Sequence, residues 1–181
     1  MRVFIAIEFD DEMKKYLAQR QADVKKNSAR GNFTGRENFH LTLRFIGEAN
    51  REEIHRIKAA INGTAEAVES FGVKLGALGE FPRNRKKIIW IGISEGHRDL
   101  KELFEKLEAN LEREGFLREE REFRPHITLG REIILNKDFQ EVSKEIVIEG
   151  KSIRVESISL MESTRIHGVL HYVPIYRKKL K

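Results

Sequence analysis

The chain has 181 residues, 40% of them hydrophobic and 35% charged, and no cysteine. That length suits one domain or two small lobes sharing a cleft, and the missing cysteines exclude disulfides, thiolate metal sites and a cysteine nucleophile. Lys and Arg total 34 against 29 Asp and Glu, a net charge of +5, and this mildly basic balance favours anionic partners such as nucleic acid or phosphate esters.

The opening "MRVFIAIEFD" is interrupted by acids too soon for a signal peptide. No run approaches the roughly 20 apolar residues of a membrane span. The expectation is a soluble, cytoplasmic protein. Abundant Lys, Arg and Glu without Cys also hint at a thermophilic source. Residues 3–9 read as a buried strand. Asp10 and Asp11 offer cap oxygens to a helix whose apolar face is Met13, Tyr16, Leu17 and Val24. "ARGNFTGREN" reads as a loop. In the strand at 39–46, His40, Thr42, Arg44 and Ile46 are expected to share one face. Ile54, Ile57, Ile61 and Val68 mark a second helix. Residues 71–78 read as a strand, "GEFPRNRKK" as a basic turn and "IIWIGIS" as an apolar strand. Leu100, Leu103, Phe104, Leu107 and Leu111 mark a third helix, ended by Gly115. Residues 123–130 form a further strand, and Phe139, Val142 and Ile146 a short helix. "SIRVESISLMES" and "GVLHYVPIYRK" read as two strands joined by a turn near 164–168. This mixture of strands and helices argues for α+β architecture rather than a regularly alternating parallel sheet. No linker divides the chain, so residues 1–181 are expected to form a single bilobal domain.

One small pattern occurs twice. "FHLTLRFIGE" and "PHITLGRE" each place His, an apolar residue, Thr and Leu in succession. In a strand, residues two apart point the same way. His40 with Thr42, and His126 with Thr128, therefore each present an imidazole beside a hydroxyl, while Leu41 and Ile127 face the core. An imidazole can give or take a proton near neutrality, and a pair can serve as base and acid on opposite sides of one reaction centre. The threonines lack an acidic partner and read as donors to an anion rather than as nucleophiles. With Arg131 nearby, they suit a phosphate whose charge redistributes in the transition state. The pieces describe in-line attack on a phosphodiester.

The two motifs resemble those of the two-histidine phosphoesterase superfamily, within it the RNA 2′,3′-cyclic phosphodiesterases, also called 2′-5′ RNA ligases. "RVFIAIEF" and "YVPIYRKKL" resemble that family's ends, so the likeness spans nearly the whole chain. It implies two antiparallel-sheet lobes with helices outside and a central cleft between the motifs. It implies hydrolysis of an RNA terminal 2′,3′-cyclic phosphate to a 2′-phosphate, with no metal and no cofactor, and reversible 2′-5′ ligation in some members. Carried over, His126 is similar to the base that activates water and His40 to the acid that protonates the departing 3′ oxygen. Thr42 and Thr128 match phosphate-binding hydroxyls, and Arg131 a basic substrate contact. The partner is RNA with a 2′,3′-cyclic phosphate end, tRNA and short oligonucleotides both being open, bound by a monomer with no membrane involved.

Rival readings are a non-catalytic RNA-end-binding module and a phosphodiesterase of 2′-5′ oligonucleotides. His167 and His171 stand four apart, but no third ligand is near, and they read as surface or cleft-rim side chains ahead of a metal pair. His55 and His97 read as solvated. Arg83, Arg85, Lys86 and Lys87 form either an exposed turn or contacts to further RNA phosphates. Phe33, between Arg30 and Arg36, either stacks on RNA or packs in the core. Tyr172 and Tyr176 are open between cleft and core. Phosphate-loop and dinucleotide fingerprints are absent.

Overall fold

Five consecutive buried residues, Val3 to Ile7, place the first strand inside its sheet rather than at an edge. In the computed structural model, which describes residues 1–181, that strand is β1 (Arg2–Glu8). It is followed by α1 (Asp11–Lys26), β2 (Ser28–Phe33), a 3-10 turn (Arg36–Asn38), β3 (His40–Glu48) and α2 (Arg51–Ala67). Then come β4 (Phe71–Arg83), β5 (Lys86–Glu95), α3 (His97–Arg113) and β6 (Ile127–Leu135). The chain closes with α4 (Phe139–Glu145), β7 (Ser152–Val155), β8 (Ser157–Ile166) and β9 (Val169–Lys179).

The strands form two antiparallel sheets, ordered β3-β1-β8-β9 and β2-β6-β5-β4-β7. This is the expected α+β arrangement, with one His-x-Thr segment in each sheet. Helix α2 packs on α3, β8 and β9, while α1 packs on β2 and β6 and α4 on β4. No helix is long and apolar enough to cross a membrane. The main core links residues of both sheets, from Val3 and Ile5 to Ile127 and Leu129. A second, small cluster of Phe4, Ala6 and Met161 lies on the other face of the first sheet, with Tyr172 against it. That face looks into the cleft.

Local chemistry sets the helix starts. The Asp10 carboxylate accepts from Met13 N–H at 2.8 Å at the head of α1. Asn50 and Glu53 form a reciprocal capping box on α2. Gly115, at φ 88°, releases the chain after α3 in a conformation that side chains resist.

Several expectations are corrected. Half of "ARGNFTGREN" is the edge strand β2, laid against β6. A Cβ at Gly31 would come 2.7 Å from Ile133, so this glycine, which suggested a loop, is instead what lets the two strands approach. "GEFPRNRKK" is mostly strand, the turn shrinking to Asn84 and Arg85 with Asn84 at φ 59°. "SIRVESISLMES" breaks at Glu156, β7 joining the second sheet and β8 the first. The strand foreseen at 123–130 begins only at Ile127. Arg44 does not share the face of His40 and Thr42. The register between β1 and β3 steps from Ala6↔Thr42 to Ile5↔Arg44, and the extra residue reverses the alternation.

Candidate active site

The two imidazoles are held in the same way. His40 Nδ1 lies 2.7 Å from the Asn38 carbonyl and His126 Nδ1 lies 2.6 Å from the Arg124 carbonyl. A carbonyl only accepts, so each Nδ1 carries the proton and each neutral ring keeps its lone pair at Nε2. In both cases the partner stands two residues upstream, which ties ring orientation to the backbone of the motif itself. His40 Nε2 then accepts from the Thr42 hydroxyl at 2.8 Å.

Each ring also has an aromatic wall. His40 meets Phe4 at 4.8 Å and the edge of Tyr172 at 5.1 Å, while His126 meets Phe81 at 5.1 Å and Trp90 at 5.8 Å. Trp90 has its place because it pairs across the strands with a glycine. A Cβ at Gly79 would come 2.2 Å from the indole. Gly79→Ala is therefore expected to displace Trp90, cost about 1–3 kcal/mol through overpacking, and lower kcat through His126. Thermal melts and steady-state rates check this. An unchanged kcat would show that the indole does not position the imidazole.

His40, Thr42, His126, Thr128 and Arg131 all line one cleft of about 640 Å³. All five residues singled out from the sequence thus meet at one place. Arg131 stands three residues after Thr128, and in an unbroken strand it would point away. The register between β5 and β6 shifts twice over this stretch, and Glu132 takes φ 51°, which brings Arg131 round to the cleft. Glu132 is fastened there by Asn32 Nδ2, which donates to its carboxylate at 2.9 Å, and by Lys86 at 3.4 Å. Arg131 itself has no carboxylate partner.

The sequence reading missed other cleft residues. Thr34 donates to the Thr128 carbonyl at 3.0 Å, and Gln21 bridges the Thr34 and Leu129 carbonyls at 2.7 and 2.8 Å. Together they lock the second motif strand to the end of β2. Phe4 and Phe45 also line the cleft. The alternation Phe4, Ala6, Glu8 opposite Val3, Ile5, Ile7 carried a signal for Phe4, whereas nothing local marked Thr34. Tyr172 is a cleft residue. Tyr176 packs against the core and donates to Asn62 at 2.6 Å. Phe33 packs against the core, and His55 and His97 are exposed. His167 sits in the β8–β9 turn and His171 on β9, neither lining the cleft.

Burial pushes His40 down to about 4, and the Arg131 cation and His126 add to the depression. The hydrogen bond to the Asn38 carbonyl, second in size to burial, opposes the depression, as does Glu8, the neighbour of His40 across the strands, more weakly than any of these. Burial also lowers His126, with a smaller contribution from Arg131. Both rings are thus held neutral in the free protein. The folded chain gives up the His40 proton while the unfolded chain, at about 6.5, still holds one. Stability from this group is complete above pH 6.5 and falls as the pH drops from 6.5 towards 4, by about 3 kcal/mol at most. Urea unfolding between pH 4 and 7 should show a shallower slope for His40→Gln than for wild type. Parallel slopes would mean the ring is solvated.

A sequence model of the 2′-5′ RNA ligase superfamily matches residues 10–166. The chain belongs to this superfamily. As a superfamily member it is 30% identical over 167 residues to a protein of Methanothermobacter thermautotrophicus named RNA 2′,3′-cyclic phosphodiesterase, covering 90% of each chain. It is also 30% identical to a protein of the same name from Methanocaldococcus jannaschii, covering 94% of this chain and 98% of that one. Among solved structures, this superfamily fold resembles E. coli LigT complexed with 3′-AMP, with a TM-score of 0.79, 27% identity and coverage of 99% and 97% of the two chains.

Proposed function

We propose that the protein hydrolyses the 2′,3′-cyclic phosphate at an RNA end to a 2′-phosphate, the whole chain acting as one bilobal unit. The observation that carries this reading is the paired presentation of two Nδ1-anchored imidazoles, from two sheets, in one cleft with two threonines and an unpaired arginine. The family relatives that bear the name of this activity support it.

In the reaction, water attacks phosphorus in line with the P–O3′ bond. His126 Nε2 takes a proton from the water as the new P–O bond forms. The P–O3′ bond breaks, and His40 Nε2 delivers a proton to the departing oxygen. Thr128 and Thr42 donate to the non-bridging oxygens, Thr42 leaving its resting bond to His40. Arg131 neutralises the charge that gathers on those oxygens. One water is added, and the two imidazoles end with exchanged protonation. Protein groups cover every step, so the reaction needs no metal. Both imidazoles come from one chain, and the chemistry asks for no second subunit. With a 5′-hydroxyl attacking in place of water, the same groups would form a 2′-5′ linkage, and the reverse step would cleave it.

A resting His40 near 4 holds no proton at neutral pH. The anionic substrate changes this, because its charge offsets Arg131 and favours the imidazolium. The proton therefore enters with the substrate. Since kcat/KM reports the free enzyme, whose two imidazoles both lie below 6.5, its fall should begin below pH 6.5 and continue at about tenfold per unit above it, while kcat holds its plateau to higher pH. Superimposable profiles would place the acid elsewhere.

The test of the function is incubation with an RNA carrying a 2′,3′-cyclic phosphate in the presence of EDTA. Loss of the cyclic end at a rate indifferent to EDTA is expected. An intact cyclic end would overturn the reading.

A further inference from the structure

The β4–β5 hairpin ends in exposed Arg83, Arg85 and Lys86. Lys87 pairs with Glu80 at 2.8 Å and Lys86 reaches Glu132 at 3.4 Å, whereas Arg83 and Arg85 have no carboxylate partner. Charged side chains left free at a hairpin tip are ordinarily solvated and carry no message. Here the register supplies one. Gly79 pairs with Trp90, Phe81 with Ile88 and Arg83 with Lys86. Alternation therefore sets Phe81 and Arg83 on one face, with Trp90, Ile88 and Lys86 beside them.

Phe81 and Trp90 are the aromatic wall of His126. Two residues along a strand advance about 7 Å, so the basic end of this face begins about 7 Å beyond that wall. A groove of about 190 Å³ occupies the place, lined by Arg83, Lys86, Lys87, Ile88, Arg131 and Glu132. Arg131 also lines the catalytic cleft. The groove and the cleft therefore share a wall, and a chain leaving the cleft past Arg131 meets Arg83 and Lys86 next.

We infer that the β4–β5 hairpin is a phosphate track for the body of a single-stranded RNA whose cyclic end sits in the cleft. The inference rests on the proposed activity and specifies its substrate as a polymer rather than a lone cyclic nucleotide. Flexible cations beside an apolar floor suit a backbone followed without base readout. The track therefore contributes affinity, salt dependence and length preference, but no sequence preference.

The test compares adenosine 2′,3′-cyclic phosphate with a ten-nucleotide RNA ending in the same group, using wild type and R83Q/R85Q. The double variant is expected to lose about tenfold in kcat/KM on the RNA and nothing on the mononucleotide, which ends before the hairpin. Two lost phosphate contacts should also make the salt dependence for RNA shallower by about 1.4 in log–log slope. R83K/R85K, which keeps the charges, should retain activity on RNA. Unchanged RNA turnover in R83Q/R85Q overturns the track, and so does an equal loss on both substrates. If wild type opens neither substrate, the proposed activity fails separately. The track is then judged by equilibrium binding of the RNA, where equal affinity and equal salt slope in wild type and R83Q/R85Q overturn it.

Discussion

Alanine at His126 or at His40 is expected to lower kcat about 10²- to 10⁴-fold, the range assigned to a positioned proton-transfer group. Neither ring belongs to the main core, so both variants should fold, with unchanged circular dichroism. The two losses differ in kind. His126→Ala removes the acceptor of the water proton, and no change of leaving group restores it. His40→Ala removes the donor to the departing oxygen. A cyclic substrate with sulfur at the 3′ position needs little protonation to leave, so it should recover much of the loss in His40→Ala and little in His126→Ala. Rescue of the opposite variant would exchange the two roles. Near-full activity in either alanine variant would remove the imidazoles from the mechanism.

Arg44→Ala is expected to cost about 3–5 kcal/mol of stability. Arg44 Nη1 donates to both carboxylate oxygens of Glu108, at 2.8 and 2.7 Å, and Nη2 donates to the Leu117 carbonyl at 2.6 Å. Glu108 is 1% exposed and also accepts from Glu119 N–H at 2.8 Å. Removing the guanidinium strands a buried carboxylate, which is the expensive half of breaking such a pair. Replacing both partners with apolar residues, Arg44→Met with Glu108→Leu, should cost less than Arg44→Ala alone. Urea unfolding of the two variants beside wild type decides. A single-variant loss below 1 kcal/mol would mean that water reaches Glu108. Because Arg44 points away from the cleft, kcat measured well below the melting temperature should stay close to wild type.

The doubled motif was readable because it depends on alternation alone: His40 with Thr42 and His126 with Thr128 need only two-residue periodicity to share a face. Arg44 and Arg131 mark where that rule stopped. Each follows a bulge, and a bulge depends on which strand lies alongside, which the local pattern does not carry. The same reason hid β2. Its Gly31 signals a turn by composition, and only the approach of β6 makes it a strand residue. Phe81 and Trp90 lie far from His126 in sequence and reach it through pairing across β4, β5 and β6. Asn38 shows how much one polar residue can conceal. Its carbonyl orients His40, while its side chain donates to the Leu170 carbonyl at 2.9 Å and accepts from Tyr172 N–H at 3.1 Å. Those partners come from the far end of the chain, so no window around the motif could reveal them.

The central claim is that two imidazoles open a cyclic phosphate by breaking the P–O3′ bond. The most direct measurement is the identity of the product from adenosine 2′,3′-cyclic phosphate, resolved by chromatography against both monophosphates. The account predicts adenosine 2′-phosphate as the sole product, formed by wild type and not by His126→Ala. Adenosine 3′-phosphate, or an unopened ring, would contradict it.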